Sequence, residues 1–282
     1  MLSELCDRRA YAALHADEMP GPLNHRLIHL IAHRGNARDF PENTLPALRS
    51  AVELGVRFLE FDVHLSGDGV PVVIHDHELL RTAGIPGSVF DHPVAELGRI
   101  EVNEAERLGG RFNGVMIPTL AEVVEFLKER HEITAFVEIK RASLRRFGHE
   151  QVVARVLEIL KPVRSRCVVI SFDLPAVHMA RQHGSFAIGW VLSEYDGHAR
   201  LKFEALKPQF LFCDHEKLPL GSERLWRGPW RWAIYEVESV ELALSLAERG
   251  VDFIETMAVK PMIQAFRDLA ARANPKGPDE AR

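Results

Sequence analysis

Cysteine is scarce: Cys6, Cys167 and Cys213 are the only three in 282 residues. An odd number at such wide spacing supplies neither a disulfide framework nor the close CxxC pairs of a zinc site, so a reducing compartment is expected. A basic excess is missing as well. Lys and Arg number 35 against 40 Asp and Glu, a net charge of −5, which disfavours a nucleic-acid partner. No uninterrupted apolar run reaches the roughly 18 residues that a membrane-spanning helix requires. Residues 1–26 read as an N-terminal extension with polar or charged groups every few positions, not the apolar stretch of a secretory signal, so a cytoplasmic location is expected. What remains is an ordinary globular balance, 46% hydrophobic and 27% charged, which excludes disordered and fibrous classes. The length suits either two ordinary domains or one large α/β barrel.

The hydrophobic pattern favours the barrel. Residues 26–33 form a short apolar run stopped by Arg34 and Gly35, a buried strand ending in a turn. Thr44 caps an expected helix over LPALRSAVEL, with Pro46 in its first turn and Gly55 after its last. FLEFDVHL (58–65) then alternates at period two, and SGDG turns it into PVVIH (71–75). Residues 76–118 are glycine-rich without sustained periodicity and read as a small insertion. From Thr119 helices and strands alternate to the end, without sequence repetition. Main strands beginning near 27, 58, 133, 167, 186, 209, 230 and 252, each with a following helix, predict a (β/α)8 TIM-type barrel over 27–273, with 274–282 as a tail. The alternative, a doubly wound open sheet, lacks its GxGxxG turn after the first strand.

In a barrel the chemistry lies at the C-terminal strand ends. There the sequence places His33-Arg34-Gly35, Glu60-x-Asp62, His75-Asp76 and Glu138-x-Lys140. Alternation puts Glu60 and Asp62 on one strand face, and Glu138 and Lys140 on another. Burying Glu60 and Asp62 among Phe58, Leu59, Phe61 and Val63 without a counter-charge is costly. A hard cation, Mg²⁺ or Ca²⁺, held by Glu60, Asp62 and Glu138 relieves that cost; ordinary ion pairing is the competing explanation. His33 and His75 are candidates for acid and base work, whereas His25, His29, His64, His77 and His178 read as ordinary surface or capped residues.

These residues carry a family resemblance. IAHRGNARDFPENTLPAL, FLEFDVHLSGDGVPVVIHDHELLRT, IPTLAEVVEFL and VEIK resemble the glycerophosphodiester phosphodiesterase family in the order HRG, PENT, ExD, HD, RT, PTL and ExK, over residues 31–140. The resemblance implies a TIM-type barrel with an insertion after the second strand. It further implies one divalent cation and hydrolysis of a small-molecule glycerophosphodiester to glycerol 3-phosphate and an alcohol. On matching positions, Glu60, Asp62 and Glu138 are implied as metal ligands, His33 and His75 as the acid/base pair, Arg34 and Lys140 as phosphate contacts, and Glu42 as a further contact to the metal or its water. The nucleophile, water or a glycerol hydroxyl, is left open.

Two departures concern the rim. Trp232-Ala233-Ile234-Tyr235 replaces a W-T-V-N run, and Glu255-Thr256-Met257 replaces a strand end in T-D. Both are expected at the far rim, away from the core chemistry, with Trp232 and Tyr235 as substrate-binding candidates beside Phe172 and Trp190; packing is the alternative for all four aromatics. Two further functions stand beside the leading one: lysophospholipase D-like action on lysolipids, and a non-catalytic binding barrel. The second is disfavoured because no expected ligand or histidine is missing. Oligomeric state leaves no mark on the sequence.

Overall fold

A computed structural model describes residues 28–221 and 223–273. The expected N-terminal extension and C-terminal tail, with Cys6 and His25, lie outside the described residues. Nine strands form one sheet: β1 (His29–Ala32), β2 (Phe58–Leu65), β3 (Pro71–Val73), β4 (Thr134–Ile139), β5 (Cys167–Ser171), β6 (Ala187–Val191), β7 (Phe210–Asp214), β8 (Arg231–Tyr235) and β9 (Phe253–Thr256). All but β3 pair in parallel. β1 bonds to both β2 and β9, so these eight strands close into a barrel. β3 is an antiparallel hairpin on the outer half of β2, with Val63 opposite Val73.

Side-chain alternation divides the sheet into an inner and an outer layer. Leu59, Phe61, Val63 and Leu65 of β2 join Ala135, Val137 and Ile139 of β4 in packing outward against helices. Phe58, Phe136, Phe210 and Phe253 point inward and meet largely edge to face, as Phe58 and Phe253 do at 5.0 Å between ring centres. These rings fill the barrel floor, so no channel runs through it, and polar residues above them are confined to the mouth. His29 belongs to the floor, 5.1 Å from Phe253.

The outer helices are α1 (Leu45–Glu53), α2 (Leu120–Lys128), α3 (Arg141–Phe147), α4 (His149–Leu160), α5 (Leu174–Gly184), α6 (Gly197–Leu206), α7 (Val240–Glu248) and α8 (Val259–Ala273). Thr44 caps α1 through Ala47 N–H, and Thr119 makes a reciprocal capping box with Glu122 on α2. One expectation fails. β7 is followed by a single 3₁₀ turn, His215–Lys217, and not by an α-helix. Trp226 and Trp230 occupy that sector, packing on Phe203 of α6 at 5.5 and 4.6 Å. Two large indoles thus cover the outer apolar surface of β7 and β8 that a helix would otherwise cover.

The chain leaves the sheet after β3 and returns at Thr119, which bridges back to Val72. Between them lie short helical turns at Leu80–Ala83, Val94–Leu97 and Ala105–Leu108. Leu79, Val89, Leu97 and Val102 of the excursion form a separate cluster on Val72 and Ile74, which anchors it beside the mouth.

Candidate active site

The turn after β1 sets the first side chains. Arg34 and Gly35 both adopt positive φ, 56° and 81°. A Cβ on Gly35 would sit 2.6 Å from the Ala47 carbonyl carbon. Glycine therefore lets the turn lie against α1, and the turn carries His33 and Arg34 into the mouth. The Arg34 backbone N–H donates to Glu60 at 3.1 Å, while its guanidinium lies 3.3 Å from Asp62 and 3.2 Å from Glu42. Asn43, also at positive φ, donates to Asp62 at 2.8 Å and accepts from the Asp62 backbone N–H at 3.0 Å.

Glu60, Asp62 and Glu138 come together as alternation requires. Asp62 pairs in register with Glu138 across β2 and β4, and one oxygen from each of the three lies within 4.8 Å of the others. Lys140 bridges Asp62 at 3.1 Å and Glu138 at 3.0 Å. Burial works against the charge on Asp62, but Lys140 and Arg34 overcome it and hold the carboxyl well below its ordinary range. Glu60 moves the other way: burial, then Asp62 and Glu255 beside it, push it well above the usual value. Burial also raises Glu138, against the pull of Lys140. One Glu60 oxygen is buried without a hydrogen-bond partner. Closely spaced carboxylates, one of them orphaned, fit a hard divalent cation.

His33 is buried, and burial followed by Arg34 lowers it well below the usual imidazole value, which favours the neutral ring. His75 is half-buried, and its Nδ1 meets Asp76 at 2.6 Å. Arg81 ties Asp76 to Glu42, meeting the Glu42 carboxylate at 2.6 and 2.9 Å.

Three further residues bear on this site. His64, read as an ordinary surface or capped residue, is 1% exposed; its Nε2 lies 3.0 Å from the His75 carbonyl and its Nδ1 2.8 Å from Ser143 Oγ, so it pins the backbone that carries His75. Glu104, from the excursion, accepts from the Glu42 N–H at 2.6 Å. Glu255 corrects the expectation of a far rim: it is buried 3.3 Å from His33, and His33, Glu60 and Glu255 form a second cluster able to hold a cation. Burial, then Glu138 and Asp62, push Glu255 well above the ordinary carboxylate range.

The aromatic rim divides by strand face. Tyr235 and Phe172 pack on the inner cluster. Trp232 and Trp190 belong to the outer layer, with Trp232 Nε1 donating to the Trp226 carbonyl at 2.9 Å. Trp232 is therefore removed from the mouth, because its position on β8 has the parity of outward-facing Ile234.

Comparison with known proteins bears on the family and the fold. The model of the glycerophosphoryl diester phosphodiesterase family matches residues 33–195. A glycerophosphodiester phosphodiesterase of Caldanaerobacter subterraneus is 34% identical over 244 residues, covering 84% of this chain and 97% of that protein. Mouse glycerophosphodiester phosphodiesterase 1 is 36% identical over 157 residues, 54% of this chain and 45% of its own length. Among solved structures, a phosphodiesterase of Oleispira antarctica in complex with the product sn-glycerol-3-phosphate superimposes with a TM-score of 0.73 at 26% identity, covering 85% of this chain and 96% of that one. With its family pattern carried on a closed barrel and matched along most of a curated relative, the chain belongs to the glycerophosphoryl diester phosphodiesterase family.

Proposed function

We propose that this protein hydrolyses small glycerophosphodiesters to glycerol 3-phosphate and an alcohol, with one divalent cation held by Glu60, Asp62 and Glu138. The observation that carries this reading is the convergence of those three carboxylates within 4.8 Å, flanked by Arg34 and Lys140. A bound cation supplies Lewis-acid charge for the phosphoryl oxygens, and Mg²⁺ or Ca²⁺ suits an all-oxygen donor set.

The chain's own residues do the rest. Arg34 and Lys140 offer fixed positive charge to the phosphoryl oxygens, and their carboxylate contacts hold them in position before substrate arrives. His33, held neutral by burial, takes the proton of the attacking oxygen. His75 delivers a proton to the leaving alkoxide from its other nitrogen, Nε2, while Asp76 at Nδ1 fixes the ring. Glu42 supports both sides by holding Arg34 and Arg81. Tyr235 contributes a ring and hydroxyl at the inner end of β8. Cytoplasmic action fits the free, buried Cys167 and Cys213, and among the described residues no helix is long and apolar enough to cross a membrane.

The test is release of glycerol 3-phosphate from glycerophosphocholine and glycerophosphoglycerol, with divalent cation and with chelator. Glu60→Gln and His33→Ala are each expected to lower turnover by at least about a hundredfold. His75→Ala should recover on an ester of nitrophenol, a leaving group that needs little protonation. Full activity in chelator would sink the proposal.

A further inference from the structure

Charge is distributed unevenly on the two sides of the candidate phosphate position. Beside His33 stand Glu60, Glu255 and Glu236, and the Glu236 side chain is 54% exposed. A substrate portion carrying another negative charge would be repelled there. Beside His75 a groove of about 310 Å³ opens, lined by His75, Asp76, Lys140, Arg141, Arg145 and Phe172 among others.

The groove's charges are not all available to a ligand. Asp76 is committed to His75 and Arg81, and Glu138 to Lys140. Lys140 in turn bridges two carboxylates. Arg141 and Arg145 differ. They stand one turn apart on α3, both exposed, and no carboxylate among the described residues pairs with either. The Arg141 guanidinium lies over the Phe172 ring, 4.9 Å from its centre, which holds it against the groove wall. Glu78 also lines the groove, and no ion pair joins it to another of the described residues, so two uncommitted cations face one uncommitted anion among them. The volume is at the small end of ligand pockets, about 300–1,000 Å³, which suits a head group and not an acyl chain.

We propose that this groove binds the alcohol portion of the substrate, and that Arg141 and Arg145 select alcohols carrying a further negative charge, a phosphate or a carboxylate. The inference rests on the phosphodiesterase reading and adds the substrate class to it. Guanidinium groups suit this task because they present paired donors to phosphate and carboxylate oxygens. Phe172 supplies an apolar face for the carbon skeleton between the two anionic ends.

Three diesters of glycerol 3-phosphate test it: the choline ester, the glycerol ester, and the glycerol ester bearing a terminal phosphate. The native protein with its cation should favour the phosphorylated ester over the plain glycerol ester by about tenfold in kcat/KM, chiefly through KM. Rising ionic strength should shrink that ratio. The double variant Arg141→Gln with Arg145→Gln should abolish it, and Arg145→Glu should move the choline ester ahead of the phosphorylated one. Hydrolysis of all three esters without a charge preference, or a preference that survives the double variant, overturns this inference and leaves the phosphodiesterase reading standing. Hydrolysis of none overturns both.

Discussion

Asp62 and Glu60 stand two positions apart on one strand and are driven in opposite directions, because Lys140, Arg34 and Asn43 all serve Asp62. Glu60 receives one backbone N–H and otherwise faces carboxylates and His33. Two residues along, His64 is equally buried but performs a structural task, and burial brings its imidazole down to about 4. The unfolded ring titrates near 6.5, so below that pH the unfolded state binds a proton that the folded state refuses. Its contribution to stability is therefore present above about pH 6.5 and is lost as pH falls toward 4. The upper bound is about 3 kcal/mol. In chelator, the difference in urea unfolding free energy between the native protein and His64→Gln should fall as pH drops through that window. A difference that is flat from pH 7 to pH 4.5 would refute the assignment. His75 should also lose its placement, so turnover in the variant should fall with KM less affected.

At the scale of elements, several helix starts carry a side chain that announces them. Thr44 and Thr119 mark expected helix starts and each caps one, as Asp173 and Ser239 do on α5 and α7. Helix α3 escaped notice because Lys140 opens it without a side-chain cap and Gly148 closes it after seven residues. The turns of the excursion span only four residues each, too few for a helical period to show. Glu104 left no local trace, since its partner Glu42 lies 62 residues away. The inward position of Glu255 was legible by contrast. It shares parity with Phe253, and the departure from a family pattern drew attention to Met257 instead. Arg141 and Arg145 had no motif to mark them. The turn joining β1 to α1 is the element on which His33 and Arg34 depend, and Gly35→Ala tests it. A side chain there meets the Ala47 backbone and an unfavourable φ together. The expected cost is about 2–4 kcal/mol in urea unfolding, with kcat reduced because the turn must move away from α1. A loss under about 0.5 kcal/mol, ordinary for an exposed site, would show that the turn yields without strain.

For the molecule as a whole, closure of the barrel concentrates charge that the strands could not hold singly. Glu42, Glu60, Asp62, Asp76, Glu138 and Glu255 are gathered in and around the mouth, and the cations paired with them are Arg34, Arg81 and Lys140. Carboxylates raised by burial stabilise the fold only while protonated. Glu60 and Glu255 contribute fully below the ordinary carboxylate pKa and lose that contribution as pH rises through their elevated folded values. Once pH has risen through those values without cation, their charges repel one another in the mouth, and a divalent cation should relieve that repulsion. Saturation at about 100 times Kd adds about 2.7 kcal/mol. For a chain of this size that raises Tm by roughly 5–10 °C. Glu60→Gln removes both a ligand and a buried charge, so it should raise Tm in chelator while shrinking the increment that Mg²⁺ or Ca²⁺ provides. Glu255→Gln should also raise Tm in chelator, yet keep most of the increment if the cation sits on Glu60, Asp62 and Glu138. A native Tm that is the same in chelator and in either cation would show that the charge in the mouth is balanced by protons alone, and the metal-dependent reading would fall with it.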